Sequence, residues 1–396
     1  MDKAHPFLIA GGGIGGLAAA LALAREGISC IVLERAPVLD EIGAGIQIGP
    51  NAFRCLDLLG VGGVASTVAV HIDTLRLMDA MSGQEICHIP LGDRFRAHFG
   101  CPYVVVHRAD LHRVLLDACR RSDLIELRTA HGARAYQQRD GGVRLAFNDR
   151  PALTGPALIG ADGIRSAIRA QLIGDGPPRV SGHTAYRCVI PADRMPRELR
   201  WNAATLWAGP KCHIVHYPLR GGTVFNLVVT CHNDVTQAVA GKPVTRDEVQ
   251  HGFRHLHPRA RQIIEQGQDW TAWVLCDRDP DDRWTDGRVT LLGDAAHPML
   301  PYFAQGACMA LEDAVCLARL VARRATVEEA FAAYRSQRFA RTARVQLGAR
   351  LVGEHVYHST GGTAAARNAI LSIKTPQDWF QDLDWLYGAR MAGAAA

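Results

Sequence analysis

The sequence predicts an α/β fold: a Rossmann-like dinucleotide-binding domain interleaved with a β-sheet substrate domain and followed by C-terminal helices. Three observations carry this. The N-terminus runs strand (Phe7–Ala10), glycine turn, helix (Ile14–Glu26), strand (Ser29–Leu33), which is a βαβ unit. From about 183 to 275 the chain is β-rich, through HTAYRCVI, ATLWAG, CHIVHYPL and TVFNLVVTCH, with Gly221–Gly222 as a hairpin turn. After Cys308 the apolar spacing is mostly helical. No repeat or low-complexity linker separates these regions, so the domains interleave in sequence. The dinucleotide domain is expected over 1–75 with 100–180 and 276–320, the sheet domain over 76–99 with 181–275, and the helical region over 321–396.

The connecting elements follow the same logic. After the glycine-rich EIGAGIQIGPN, a short amphipathic helix is expected from Ala52 to Leu59, then strand-like pieces near Leu75–Asp79 and Glu85–Ile89. In HRADLHRVLLDACR, Leu111, Val114, Leu115 and Ala118 recur at helical spacing. Residues 124–150 alternate like a hairpin about Gly141–Gly142, and ALIGAD at 157–162 reads as a buried strand.

At 396 residues the chain can bury more than one core, and 48% apolar with 21% charged residues is ordinary for a soluble globular protein. A net charge of +5, scattered rather than massed, suits a small anionic substrate and gives no footprint for nucleic acid. The arginine-rich stretch from Arg319 to Arg350 reads as a solvated helix face. The eleven cysteines show no C-x-x-C pair and no zinc spacing, as expected of reduced thiols in the cytoplasm, and no metal site is expected. Pro6–Ala24 is uncharged and imitates a signal peptide or a membrane span. Five glycines between Gly11 and Gly16 speak against a spanning helix, since each costs ~1 kcal/mol relative to alanine, and a strand-like ISCIVLE follows. No membrane span is expected.

Three constellations carry chemistry. In GGGIGG, Gly11, Gly13 and Gly16 stand in G-x-G-x-x-G register between strand and helix, where glycine allows the tight turn and close approach to a pyrophosphate. Glu34, with Arg35 beside it, ends the second strand 23 residues after Gly11, where a carboxylate accepts from the adenosine ribose. Gly60 to Ala65 matches the same pattern but follows a helix, so it reads as a helix C-cap and turn. One dinucleotide fingerprint therefore remains. The second constellation is Asp162-Gly163-x-x-Ser166-x-x-Arg169, and the third is Gly293-Asp294 after VTLL, ahead of a helix opening at Gly306. In CHIVHY, His213, Val215 and Tyr217 share one face of a strand and Ile214 and His216 the other; four residues span ~13 Å, so both side chains can reach a ring between them, or both are ordinary hairpin residues. The histidines 251, 255 and 257 read as solvated helix residues.

The order of the three motifs resembles that of group A flavin-dependent aromatic hydroxylases over nearly the whole chain, which implies the p-hydroxybenzoate-hydroxylase-like fold and FAD as cofactor. Within that group EIGAGIQIGPNAFRCLDLLG, WAGPKCHIVHYPLRGG and the terminal DWLYG resemble 3-hydroxybenzoate 6-hydroxylases. The resemblance implies that Asp162 serves FAD and the nicotinamide nucleotide and Asp294 the ribityl chain. It places Gly306 and Ala307 at the flavin N1–C2=O edge, Arg108 against FAD and Gln47 near the isoalloxazine. It assigns His213 and Tyr217 to binding and deprotonating the phenol, with Asp73, Tyr103 and Tyr302 on the substrate side. His297 either shapes its turn or faces the site. The chain departs from the pattern at Pro301, where several members carry Gln, so the substrate and position of attack stand open between 3-hydroxybenzoate, salicylate and 6-hydroxynicotinate. The implied reaction takes NADH (or NADPH) at a transient site, forms a C4a-hydroperoxyflavin from oxygen, and hydroxylates a small aromatic carboxylate; a homodimer is compatible with it. A non-catalytic dinucleotide-binding protein is the alternative from another class.

Overall fold

The computed structural model describes residues 5–41, 44–139 and 141–389. At its centre Phe7–Ala10 lies between Cys30–Leu33 and Leu158–Gly160, all parallel, with Leu8 opposite Ile31 on one side and Leu158 on the other. These strands are buried along their whole length, as parallel strands covered on both faces must be. Ile125–Arg128 extends the sheet beyond Cys30–Leu33, Val289–Leu291 extends it beyond Leu158–Gly160, and Thr285–Asp286 closes the edge antiparallel. The helix Ile14–Arg25 rises from the first strand through the glycine turn and packs on the long helix Gly306–Arg323. Gly60, at φ +74°, ends the helix Pro50–Leu58 as expected, but a second short helix, Gly62–Val68, follows where only a turn was foreseen.

The second large sheet has eight strands. Arg179–Pro191, Val224–His232, Cys212–Leu219 and Ala203–Gly209 form its antiparallel middle, Thr74–Asp79 joins Ala203–Gly209 in parallel, and Glu85–Pro90 is one edge. Its back face packs Ile214, Trp207, Leu227 and Phe253 into a separate core. Alternation along Cys212–Leu219 therefore sends His213, Val215 and Tyr217 to the other face, toward the parallel sheet. On the back face His216 accepts from Trp207 Nε1 at 3.1 Å, a packing role. A small antiparallel sheet of Gly45–Ile48, Val104–His107 and Val70–His71 bridges the two, tied by the Gly45 N–H donating to Asn226 Oδ1 at 2.7 Å.

The C-terminal helices Val327–Val352, Gly361–Ser372 and Pro376–Tyr387 wrap this junction. A π-helical turn, Gly353–Tyr357, ends the first of them and swings Tyr357 and His358 toward the sheet. The arginine stretch is not a solvated face throughout: Arg338 is buried between Glu312 and Asp313, because the helix Gly306–Arg323 presents two adjacent carboxylates that need cations inside the core. Among the described residues no helix is long and apolar enough to cross a membrane, and no side-chain cluster could hold a metal.

Candidate active site

A cavity of about 1060 Å³ runs from the glycine turn to the front face of the large sheet. At one end Gly11 holds φ +109°, and a Cβ there would sit 2.3 Å from the Ala161 carbonyl oxygen. A Cβ on Gly16 would fall 1.9 Å from the Gly11 carbonyl oxygen, so Gly16 lies off the cavity and lets the helix close on the turn. Gly13 caps the helix without a side-chain bond, leaving the first-turn N–H groups of Ile14–Arg25 directed at the cavity end. The buried His112 ring bonds the Gly12 carbonyl at 2.8 Å and fixes the loop from behind. Glu34 is oriented by the N–H groups of Gly12 and Ala36, each donating at 2.8 Å, while Arg35 lies exposed at the rim. Gly11→Val is accordingly expected to lose bound dinucleotide while the C-terminal core keeps its fold, read as absorbance per protein against the far-ultraviolet spectrum.

The two Asp motifs meet here. Asp162 Oδ2 accepts from the Ala167 N–H at 2.8 Å, and its Oδ1 is buried on the cavity wall without a protein partner. Burial raises the Asp162 pKa against those hydrogen bonds. Arg169, one helical turn on, is buried and donates to the carbonyls of Ala295 and Ala296 at 3.0 and 2.6 Å, locking this motif to the Gly293–Asp294 turn. Asp294 faces cavity space although protein surrounds it; that burial raises its pKa, with Arg108 and His297 opposing. Arg108 is ion-paired with Glu41 at 2.8 Å. Gly306 and Ala307 open the long helix on the same wall, and no side chain caps it. His297 is buried behind the turn with Nε2 on Asp313 Oδ2 at 2.5 Å, so it shapes the turn and does not line the cavity.

At the sheet end His213 and Tyr217 flank Val215 on the wall. His213 Nδ1 pairs with His358 Nε2 at 2.7 Å. Burial, then His358 and His183, hold His213 well below the ordinary histidine range; His358 is lowered to about 3 and His183 to about 4, burial leading in both. Tyr302 bonds His183 through its hydroxyl, and its backbone carbonyl accepts from the Tyr357 hydroxyl at 2.9 Å. Tyr217 packs over Gly45, where a Cβ would meet its ring at 2.4 Å. Tyr103 donates to Gln47 Oε1 at 2.6 Å, both on the wall, as is Pro301.

Asp73 needs correcting. It is exposed and outside the cavity lining, and its backbone pairs with Asn202 and Leu91 at the strand start. Asp73 shares parity with the cavity-lining Leu75 and Leu77, but it stands before the strand Thr74–Asp79 begins, and there its side chain leaves the sheet for solvent. The histidines of HGFRHLHPR do not share a helix: the helix Arg246–Gly252 ends inside the segment, and His257 caps the next one by accepting from the Arg259 N–H. Sequence reasoning missed His183, Tyr357, His358 and Arg187, which reach the site only through strand pairing and the π-helical turn.

A glycine-turn cradle for a dinucleotide that opens into a chamber of histidines and tyrosines defines a dinucleotide-dependent oxidoreductase. The chain belongs to the FAD binding domain family, whose model matches residues 5–347. It is 54% identical over 381 residues to 3-hydroxybenzoate 6-hydroxylase 1 of Aquipseudomonas alcaligenes, covering 96% of this chain and 97% of that one. It is 46% identical to the 3-hydroxybenzoate 6-hydroxylase of Klebsiella oxytoca, covering 98% of each. Among solved structures, Klebsiella pneumoniae HpxO complexed with FAD and uric acid superposes with a TM-score of 0.84 at 27% identity, covering 96% of each chain. The chain is an FAD-dependent monooxygenase.

The residues present fit FAD. The Gly11 turn admits a backbone-close pyrophosphate, Glu34 stands at the end of the second strand, and the unpartnered Asp162 Oδ1 and cavity-facing Asp294 offer acceptors to hydroxyls. The free N–H groups at Gly306 and Ala307 suit a ring edge that carries negative charge when reduced.

Proposed function

We propose that the chain hydroxylates 3-hydroxybenzoate para to its phenol, giving gentisate, with NADH as the reductant and oxygen as co-substrate. The observation that carries the reading is His213 on the cavity wall, paired through Nδ1 to His358 and held neutral by burial. FAD, once reduced, supplies the activated oxygen; the chain must make the ring electron-rich and exclude water.

Deprotonating the phenol does the first, because a phenolate pushes density to its ortho and para carbons. When His213 Nδ1–H donates to His358 Nε2, His213 Nε2 keeps a lone pair for the phenol proton. Tyr217, whose pKa burial drives up, stays a neutral hydroxyl and can donate to the same oxygen or to the carboxylate. Tyr302, Tyr357, Val228 and Leu206 exclude water around the ring.

In this reading 1–75 with 100–180 and 276–320 form the FAD-binding domain, 76–99 with 181–275 the substrate-binding sheet domain, and 321–396 the C-terminal helical region. A cytoplasmic homodimer and a transient site for the nicotinamide nucleotide belong to the same proposal. The test is a reaction of FAD-loaded protein, NADH, air and 3-hydroxybenzoate, with the product identified by chromatography and NMR. Gentisate nearly equal to the NADH consumed supports the assignment and makes Pro301 a tolerated variation. Product only from salicylate or 6-hydroxynicotinate overturns it in favour of those hydroxylases.

A further inference from the structure

Strand register places an arginine opposite the two residues just discussed. Arg187 pairs with Val228, Val228 with Val215, and Val215 with Leu206, so this row crosses the sheet between the positions of His213 and Tyr217. The neighbouring row runs Ala185, Thr230, His213. Arg187, Ala185, Val228, Thr230 and Val215 all line the cavity, while Tyr186 and Cys188 pack behind the sheet. Two strand spacings, about 10 Å, separate the backbone at Arg187 from that at Val215. An arginine side chain lying over Val228 spans most of that gap.

This guanidinium has no counter-ion among the described residues. It makes no ion pair, its Nε is buried without a hydrogen-bond partner, and Trp273 lies 5.6 Å from its Cζ. The charged or ionisable groups that it feels are Tyr217 and another cation, Arg108. Other arginines on the wall are accounted for: Arg76 pairs with Glu85 and Arg108 with Glu41, while Arg35 and Arg165 are exposed. An arginine cannot discharge its cost by losing a proton, so an enclosed one without a partner is a place for an anion.

We propose that Arg187 receives the carboxylate of the aromatic substrate while His213 takes its phenol end, so that the pair sets which ring carbon is presented for attack. This rests on the proposed substrate class. A planar guanidinium can hold a carboxylate through two parallel hydrogen bonds, which fixes orientation as well as affinity.

The test is calorimetric titration of the FAD-loaded protein with 3-hydroxybenzoate and with its neutral isostere 3-hydroxybenzamide, in wild type, Arg187→Met and Arg187→Lys. Arg187→Met is expected to weaken 3-hydroxybenzoate by roughly 10²-fold and 3-hydroxybenzamide by less than about threefold, with Arg187→Lys between. Equal losses for both ligands would make Arg187 a packing residue and overturn the proposal. Unchanged benzoate binding with lost FAD or a raised KM for NADH would assign its anion to the cofactors and overturn it too. If Arg187→Met does not fold, the Arg187→Lys selectivity decides. Should wild type bind salicylate and not 3-hydroxybenzoate, the substrate assignment falls, and salicylate against salicylamide still tests Arg187.

Discussion

Alanine at position 213 is expected to cut product formation by about 10²-fold while FAD content stays unchanged and NADH oxidation continues. The expectation follows from where the side chain sits. His213 is buried, its Nδ1 is committed to His358 at 2.7 Å, and its strand neighbours Val215 and Tyr217 share the cavity wall. None of these contacts reaches the glycine turn or the Asp294 turn, so the flavin cradle has no reason to loosen. Without a proton acceptor the phenol stays neutral and the ring is a poor nucleophile, and reducing equivalents are expected to end as hydrogen peroxide. Product yield per NADH, by chromatography, reads the effect; full yield in His213→Ala would remove the residue as the base.

The pH profile carries the same argument with a definite sign. His213 acts as the neutral imidazole, and burial with two neighbouring histidines lowers its pKa. Protonation that would silence an ordinary histidine near pH ~6.5 therefore occurs at lower pH here. The acidic limb of kcat/KM for hydroxylation is expected below ~6.5, and kcat/KM should stay level from about pH 8 down to 6. A limb centred at ~6.5 would show that the active base sits in water-like surroundings, which the buried pair with His358 does not offer. Exchanging His358 for phenylalanine should move that limb as well, because it deletes both the hydrogen bond and the ionisable imidazole that opposes charge on His213.

The residues that could be read from sequence are those whose chemistry is local. Gly11, Gly13 and Gly16 act within one strand–turn–helix, and Asp162 and Asp294 each end a buried strand, so the motif contains its own context. The faces of Cys212–Leu219 were legible too, because period-two alternation needs no partner. Arg187 was not, since nothing in HTAYRCVI says that its row meets Val215 two strands away. His358 lies 145 residues from His213 and arrives through a π-helical turn that no periodicity announces. Asp73 shows the converse failure: a carboxylate near a strand end fitted a family position and even shares the parity of Leu75 and Leu77, but it lies before the strand begins and is exposed to solvent. Arg338 was hidden by composition, because one buried cation among many exposed arginines has no signature until its two carboxylates are seen.

That buried cation yields the largest stability effect. Arg338 donates to Asp313 Oδ1 at 2.7 Å and to Glu312 Oε2 at 2.6 Å, and all three side chains are buried. Each carboxylate in turn holds part of the active site. Asp313 Oδ2 accepts from the Gly293 N–H at 3.1 Å and contacts His297, fixing the turn that carries Asp294. Glu312 accepts from Asn51, which donates to Gln305 Oε1 at 2.9 Å just before the helix that begins at Gly306. Arg338→Met would keep the volume and leave two buried carboxylates with fewer cations, an arrangement that costs about 3–5 kcal/mol when one partner of a buried pair is removed. Burial alone would raise the Asp313 pKa, but His297 and Arg338 hold it down to about 2. A depressed carboxylate stabilises the fold above its unfolded value near 3.9 and loses that contribution as pH falls toward its folded value. The difference between wild type and Arg338→Met is thus expected to be full at pH 7 and to shrink between about pH 4 and 2, because protonated carboxyls no longer need the arginine. Urea unfolding of both proteins at several pH values measures it. Arg341 also donates to Glu312 Oε2 at 2.6 Å, so equal stability at pH 7 would mean that Arg341 on Glu312 and the His297 contact with Asp313 suffice without Arg338; a gap that widens in acid would mean that Arg338 stabilises through packing and not through charge.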